Sequence, residues 1–169
     1  ASGAQSFAGG NDSQASGAQS VAIGDEALAS GQSAVSVGDG SNASNTNTIA
    51  QGTNAIASGV NSSAIGLNST ASNLDALAFG TDTVASGAGA TAMGYSSDAT
   101  GTASTAVGFA NTASGDLSFA GGNLSQATAD ATVALGNLAL ASALNSTAVG
   151  NASVATGENS ASFGNESIA

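Results

Sequence analysis

Acidic and hydroxyl side chains set the chemistry available to this chain. Its 169 residues include eleven Asp and Glu but no Lys, Arg, His or Cys. An imidazole base, a thiol nucleophile and a Schiff-base amine are therefore all missing, and no serine has a His or Lys to take its proton. Paired carboxylates of the glycosidase kind are the one catalytic arrangement left. Their positions argue against it. Counted from a glycine that recurs every 14 residues, Asp25 and Asp39 lie one residue after it, and Asp12, Glu26, Asp82 and Glu166 two after. Asp98 lies four after, Asp116, Asp130 and Glu158 eight after, and Asp75 nine after. These are turn-like or outward columns, so the carboxylates read as a solvated rim that keeps the protein soluble. No enzyme activity, catalytic residue or cofactor is expected.

A metal site is the sharper reading of the same residues. Asp25 and Asp39, Asp12 and Glu26, and Asp116 and Asp130 occupy equal columns of successive repeats. Stacked about one strand spacing apart, such oxygens suit Ca²⁺. The calcium-binding nonapeptide of other β-rolls is missing, however, and Gly9-Gly10-Asn11-Asp12 is only a fragment of it. The solvated rim is preferred. Asn-x-Ser/Thr occurs at Asn11, Asn42, Asn61, Asn68, Asn123, Asn145, Asn151 and Asn165. These sites matter only in a host that glycosylates them.

All of these positions hang on one repeat. Glycine stands at 10, 24, 38, 52, 66, 80, 94, 108, 122, 136, 150 and 164, with no insertion or deletion. Alanine follows five residues after each, from Ala15 to Ala169, and then Ser or Thr, from Ser16 to Thr156. Columns filled this strictly are not composition bias, and a disordered chain would not confine its apolar residues to fixed columns. The period describes a solenoid of twelve 14-residue repeats.

Within each repeat, the third residue before the glycine and the one just before it are mostly bulky, and the residue between them is small. This is strand alternation, and the β-branched and aromatic content agrees. A second short strand runs through the alanine column near Ala29. Each repeat is therefore expected to be two short strands joined by two tight turns. Glycine also recurs seven residues on, at Gly31, Gly59, Gly87, Gly101, Gly115 and Gly157. Either a positive φ or a close approach of chains would require it. Asn45 and Asn73 in that column suit a left-handed backbone. Ala129 and Ala143 break the rule, so the coils near 125–145 are expected to turn differently.

The small columns of both strands should face a shared interior and flatten the roll. Alanine burial contributes little at ~25 cal/mol per Å², so one chain alone is short of buried apolar surface. The bulky columns then point outward as a stripe along a rod roughly 55–60 Å long, at one coil per strand spacing. The stripe comprises Val21, Ile23, Val35, Val37, Ile49, Ile65, Leu77, Phe79, Met93, Val107, Val133, Leu135, Val149 and Phe163. An apolar surface of this extent marks an interface, and an obligate homo-oligomer is expected. The alternative is a monomer with these columns turned inward.

Copies such as Ser20-Val21-Ala22-Ile23-Gly24 and Ser104-Thr105-Ala106-Val107-Gly108, each trailed by x-x-Ala/Ser/Asn-x-Ala-Ser/Thr-Gly, resemble the head repeat of YadA-like trimeric autotransporter adhesins. The resemblance covers the entire chain. It implies an all-β, left-handed parallel β-roll, homotrimeric, with the Val/Ile columns meeting at the trimer centre. It also implies an extracellular, cell-surface location, anchored to the Gram-negative outer membrane through a stalk and barrel outside this segment.

With no basic side chain, counterion-release binding to nucleic acid is excluded, as is attraction to anionic membrane surfaces. The expected partners are further copies of the chain and an unidentified cell-surface or matrix ligand. Residues 1–169 read as a single array, a segment of a longer fibre, because Ala1 and Ala169 share a column and neither end carries an atypical capping repeat. The leading function is a non-enzymatic adhesin head. A passive spacer or filament segment is the alternative. A weaker one is an ice-binding solenoid, which would use the hydroxyl column Ser16–Thr156 and the Ser/Thr-rich column four residues later. Leu28, Ile56, Val84, Leu140, Val154 and Ile168, four after the glycine, are the best candidates for a sticky outer face.

Overall fold

A computed structural model describes residues 1–169, all in strands and turns with no helix. The repeat is one coil. Strand Phe7–Gly9 pairs in parallel with Val21–Ile23 in the register Phe7↔Val21, Ala8↔Ala22, Gly9↔Ile23. The shorter strand Gln14–Ala15 pairs likewise with Leu28–Ala29. Every residue therefore faces its own column in the next copy. The chain forms two units, Ala1–Ala85 and Ser86–Ala169. In the first, one sheet runs from Phe7–Gly9 to Leu77–Thr81 and the other from Gln14–Ala15 to Val84–Ala85. In the second, the corresponding sheets run from Thr91–Tyr95 to Ala161–Phe163 and from Asp98–Ala99 to Val154–Ala155. Each unit is an all-β parallel β-solenoid.

Where the longer strand has three residues, both turns of a coil can use one device; after Gly94, Gly108, Gly122 and Gly136 the strand runs on and the second turn lacks this closing bond. The N–H of Ser20 donates to the Gly17 carbonyl at 3.3 Å, and Gln19 between them has φ 59°. In the other turn the N–H of Ser41 donates to the Gly38 carbonyl at 3.3 Å, with Gly40 at φ 61°. A left-handed third residue closed by this bond is the signature of a type II turn. The left-handed positions thus fall two and nine residues after the repeat glycine, not in the second glycine column. Asn45 and Asn73 have no positive φ, which corrects the expectation that Asn stands there for left-handed backbone. Close approach explains that column instead: a Cβ added to Gly17 would lie 1.9 Å from the Gly31 carbonyl oxygen. At Ala143 the chain gives slightly. Its N–H donates to Ser146 Oγ at 3.3 Å, whereas the N–H of Gly115 reaches across to the Ala127 carbonyl at 3.4 Å. The turn itself is unchanged, because Ser146 N–H still closes on the Ala143 carbonyl at 3.0 Å and Asn145 is left-handed.

The interior holds only small side chains. Ala22, Ala50, Ala64, Ala106 and Ala134 from the longer strands and Ala29, Ala57, Ala113 and Ala141 from the shorter ones are fully buried. The largest fully buried side chains are Asn111, Thr48, Thr83 and Thr132. Several interior hydroxyls are bonded back to the turn, as Ser20 Oγ donates to the Gly17 carbonyl at 2.7 Å and Thr48 Oγ1 to the Asn45 carbonyl at 2.7 Å, whereas those of Ser62, Ser104 and Ser118 have no partner within the chain. Where serine replaces alanine in the longer strand, a second serine meets it, with Ser36 Oγ and Ser41 Oγ 2.7 Å apart and Ser162 Oγ and Ser167 Oγ also 2.7 Å apart. Satisfying a buried hydroxyl in this way removes most of its burial cost. The Ser/Thr-rich column containing Ser20, Thr48, Ser62 and Thr132 is therefore inside the coil, where no ice lattice reaches it.

Two outcomes follow for stability. Ala103 and Ala110 occupy left-handed positions at φ 52° and 51° with no side chain to compensate. Replacing either by Gly is expected to raise the melting temperature, by roughly 1 kcal/mol of stability, whereas Ala106→Gly, inside a strand, should lower it. Asn111 donates through Nδ2 to the Val107 and Gly122 carbonyls at 2.8 and 2.9 Å, and its Oδ1 accepts from Ser125 N–H at 2.9 Å and Ser125 Oγ at 2.6 Å. Thermal unfolding of Asn111→Ala should show a loss of about 3 kcal/mol, because these buried partners are left unmatched.

Candidate functional site

With the interior closed by small residues, the bulky columns lie on the outer face of the longer-strand sheet. Ile23 is 43% exposed, Met93 44%, Leu135 44% and Phe163 66%. Ile49 is also exposed, while Val21, Val35, Val37, Ile65, Leu77, Phe79, Val107, Val133 and Val149 are half-buried by their neighbours. All fourteen expected stripe residues stand on this face, and none enters the interior. The monomer with inward bulky columns is thereby excluded for this chain. Alanine between each bulky pair points inward, as the alternation requires.

The stripe keeps its thickness where its columns exchange size. A Cβ on Gly121 would fall 2.8 Å from Phe119 Cε1, so the ring of Phe119 lies over its own neighbouring glycine. Phe7 covers Gly9 in the same way, with Cε1 3.1 Å from the site of a Cβ. Phenylalanine in the first bulky column is therefore matched by glycine in the second.

The paired carboxylates lie on the turns, and Asp25, Asp116 and Asp130 bond to neighbouring coils. Asn11 Nδ2 donates to Asp25 Oδ1 at 3.0 Å and to Asp12 Oδ2 at 3.2 Å. Asp116 Oδ1 accepts from Thr102 N–H at 2.7 Å, and Asp130 Oδ1 from Asp116 N–H at 3.0 Å. Glu26 is a left-handed turn residue and Asp39 an outward one. No group of three acidic side chains comes together at any of these pairs. The acids serve as caps and as ends of amide ladders. In one ladder Asn61 Nδ2 donates to Asp75 Oδ1 at 3.0 Å, in another Asn68 Nδ2 to Asp82 Oδ1 at 2.9 Å.

The outer column of the shorter strands is where the sequence places it. Ile56 is 39% exposed and Ile168 80%, with Leu28, Val84, Leu140 and Val154 half-buried. The hydroxyl column from Ser16 to Thr156 is largely exposed beside it. One group went unseen in the sequence reading: Tyr95, Phe109, Leu124 and Leu138, at 48%, 50%, 41% and 52% exposure, the first two at the ends of longer strands and the leucines just past them. The signal was available, since apart from Leu67 these columns otherwise hold Asn, Asp, Glu or small residues.

Asp98 stands apart among the acids. It lies in a short strand, half-buried, and burial raises its carboxyl above the ordinary aspartate value. A raised acid pKa means that the folded state holds the proton more tightly, so stability falls as pH rises from the ordinary value, about 3.9, through the raised one. Asp98→Asn should match the parent below that window and exceed it above, as read from melting temperatures across pH.

Nine stretches of the chain match the family model described as YadA head domain repeat (2 copies): residues 1–27, 29–55, 43–69, 57–83, 71–97, 85–111, 99–125, 113–139 and 141–167. No curated protein matches the chain. The starts of the matched stretches are separated by 14 or 28 residues, the same step that the strand register shows. The family is one of non-enzymatic, surface-exposed outer-membrane autotransporter adhesins. Matched in register across nearly its whole length, this chain belongs to the YadA head domain repeat family.

Proposed function

We propose that this chain is a head segment of a trimeric cell-surface adhesin, with three copies around a common axis joined through the apolar stripe. The observation that carries this reading is the division of side chains. The interior holds alanine and small hydroxyl residues, while the valines, isoleucines, leucines and phenylalanines of the longer strands stand outside. Fully burying such a side chain is worth about 1.5–3 kcal/mol, so most of the chain's hydrophobic stabilisation is realised only when the stripe is covered. In this reading Val21, Ile23, Val35, Val37, Ile49, Ile65, Leu77, Phe79, Met93, Val107, Val133, Leu135, Val149 and Phe163 meet their counterparts on two other copies.

The remaining faces project outward and repeat coil by coil, so attachment to a cell-surface or matrix ligand is polyvalent, each contact weak and the sum strong. Location outside the cell, held to the outer membrane by parts beyond these residues, agrees with the family. A second reading, a passive spacer, rests on the mainly polar outer columns. Ile56, Leu28, Leu140 and Val154 favour the adhesin over it, because a spacer has no use for apolar residues on its free face.

Sedimentation across a dilution series tests assembly, with the mass of three chains expected. A folded monomer at all concentrations would overturn the reading. Val35→Asp combined with Ile65→Asp should abolish the trimer, since each copy would bring like charges to the axis. Attachment of particles displaying the segment, compared with a version carrying Ser at Leu28, Ile56, Leu140 and Val154, separates adhesin from spacer. Unchanged attachment to every surface tried would leave only the spacer.

A further inference from the structure

We propose that Tyr95, Phe109, Leu124 and Leu138 extend the surface through which copies of this chain meet, and that the neighbouring copy of the chain covers them. The proposal rests on the oligomer read above and widens its interface beyond the stripe.

Three observations converge on this strip. The first is continuity. Most longer strands of the first unit have three residues, as in Val21–Ile23, but Thr91–Tyr95, Thr105–Phe109, Phe119–Asn123 and Val133–Asn137 have five. In them the ladder runs past the repeat glycine, with Met93↔Val107, Gly94↔Gly108 and Tyr95↔Phe109 in register. The apolar face therefore continues from the stripe residues Met93 and Val107 onto Tyr95 and Phe109 by about 7 Å, two residues of strand rise.

The second is packing along the strip. The rings of Tyr95 and Phe109 stack with centroids 5.3 Å apart and planes 11° from parallel. Leu124 and Leu138 carry it on in the next two coils, from left-handed backbone at φ 55° and 58°. Leucine is a costly occupant of that region, yet it stands here with about half its surface in solvent. Asn123 and Asn137 beside them are joined by their own side-chain amides, so the leucines supply the free apolar contact. The strip advances one coil at a time, the step at which a copy in parallel register presents its own residues.

The third is charge. The same two columns hold Asp12, Asp25, Glu26, Asp39, Asp82 and Glu166 in other coils, but no acid at 95–96, 109–110, 123–124 or 137–138. A chain of net charge −11 with no Lys or Arg repels its copies wherever carboxylates meet. Positions 53–54, 67–68 and 151–152 are also free of acid, and the strip lies in the longest unbroken run of coils in which this edge allows contact. A cationic partner would seek the acidic coils instead.

The test uses an intrinsic probe, because Tyr95 is the only tyrosine and there is no tryptophan. In the assembled protein, acrylamide should quench its fluorescence at least about two-fold less than in the protein diluted below its assembly range, or than free tyrosine amide if no dissociation occurs. The companion variant is Leu124→Asn with Leu138→Asn, which suits left-handed backbone better than the parent. It should move the concentration midpoint of assembly at least about ten-fold upward while the fold is kept. An assembled protein whose Tyr95 quenches like free tyrosine amide, or a variant that assembles like the parent, overturns this inference and leaves the trimer standing. A parent that is monomeric throughout overturns both.

Discussion

The structure depends on how closely one coil lies on the next. A Cβ on Gly24 would sit 2.5 Å from the Gly38 carbonyl oxygen, and one on Gly52 2.4 Å from that of Gly66. Those carbonyls occupy the space where a side chain would be, so the step between coils is set by backbone against backbone. Glycine in this column is also at φ 133–138° in Gly24, Gly38 and Gly52, a region closed to other residues. An inserted residue would move a glycine out of contact and put a Cβ into a carbonyl. The strict period is the visible result.

Close stacking leads to the small interior and, through it, to the outward stripe. Two strands joined by tight turns leave room between the sheets only for alanine, serine and threonine, with Asn111 as the one larger exception held by four hydrogen bonds. A core of this kind stabilises mainly through its backbone ladders, with hydroxyl bonds added at some of its serines and threonines. Bulky residues have no place inside and stand on the outer face instead. The partner proposed for that face thus answers to turn geometry as much as to surface composition.

The outer surface divides the labour. In the second unit the apolar outer face runs along the longer strands from Met93 and Val107 onto Tyr95 and Phe109. The turns carry carboxylates whose oxygens bind the backbone or amides of the adjoining coil, as Asp116 does for Thr102. Charge that keeps the protein soluble is therefore also tied into the coil-to-coil ladder, and it is withdrawn from the edge where apolar residues take over.

The sequence by itself determined the coil length, the two strands per coil, the in-register parallel pairing and the outward stripe. Each of these follows from a column of residues, and a column survives translation along the chain unchanged. Only the tertiary structure decided which column is left-handed. Asn, Asp, Gln, Ala and Leu all occupy those positions, so residue type carried little signal, and the tight return between strands imposes the conformation whatever the side chain. It also decided that the Ser20 and Thr48 column lies inside while the Ser16 column lies outside, since hydroxyls suit either a buried turn bond or solvent. The stacking of Tyr95 on Phe109 was likewise invisible along the chain. The two residues are 14 apart, and contact arises only because one coil returns the backbone to the same edge.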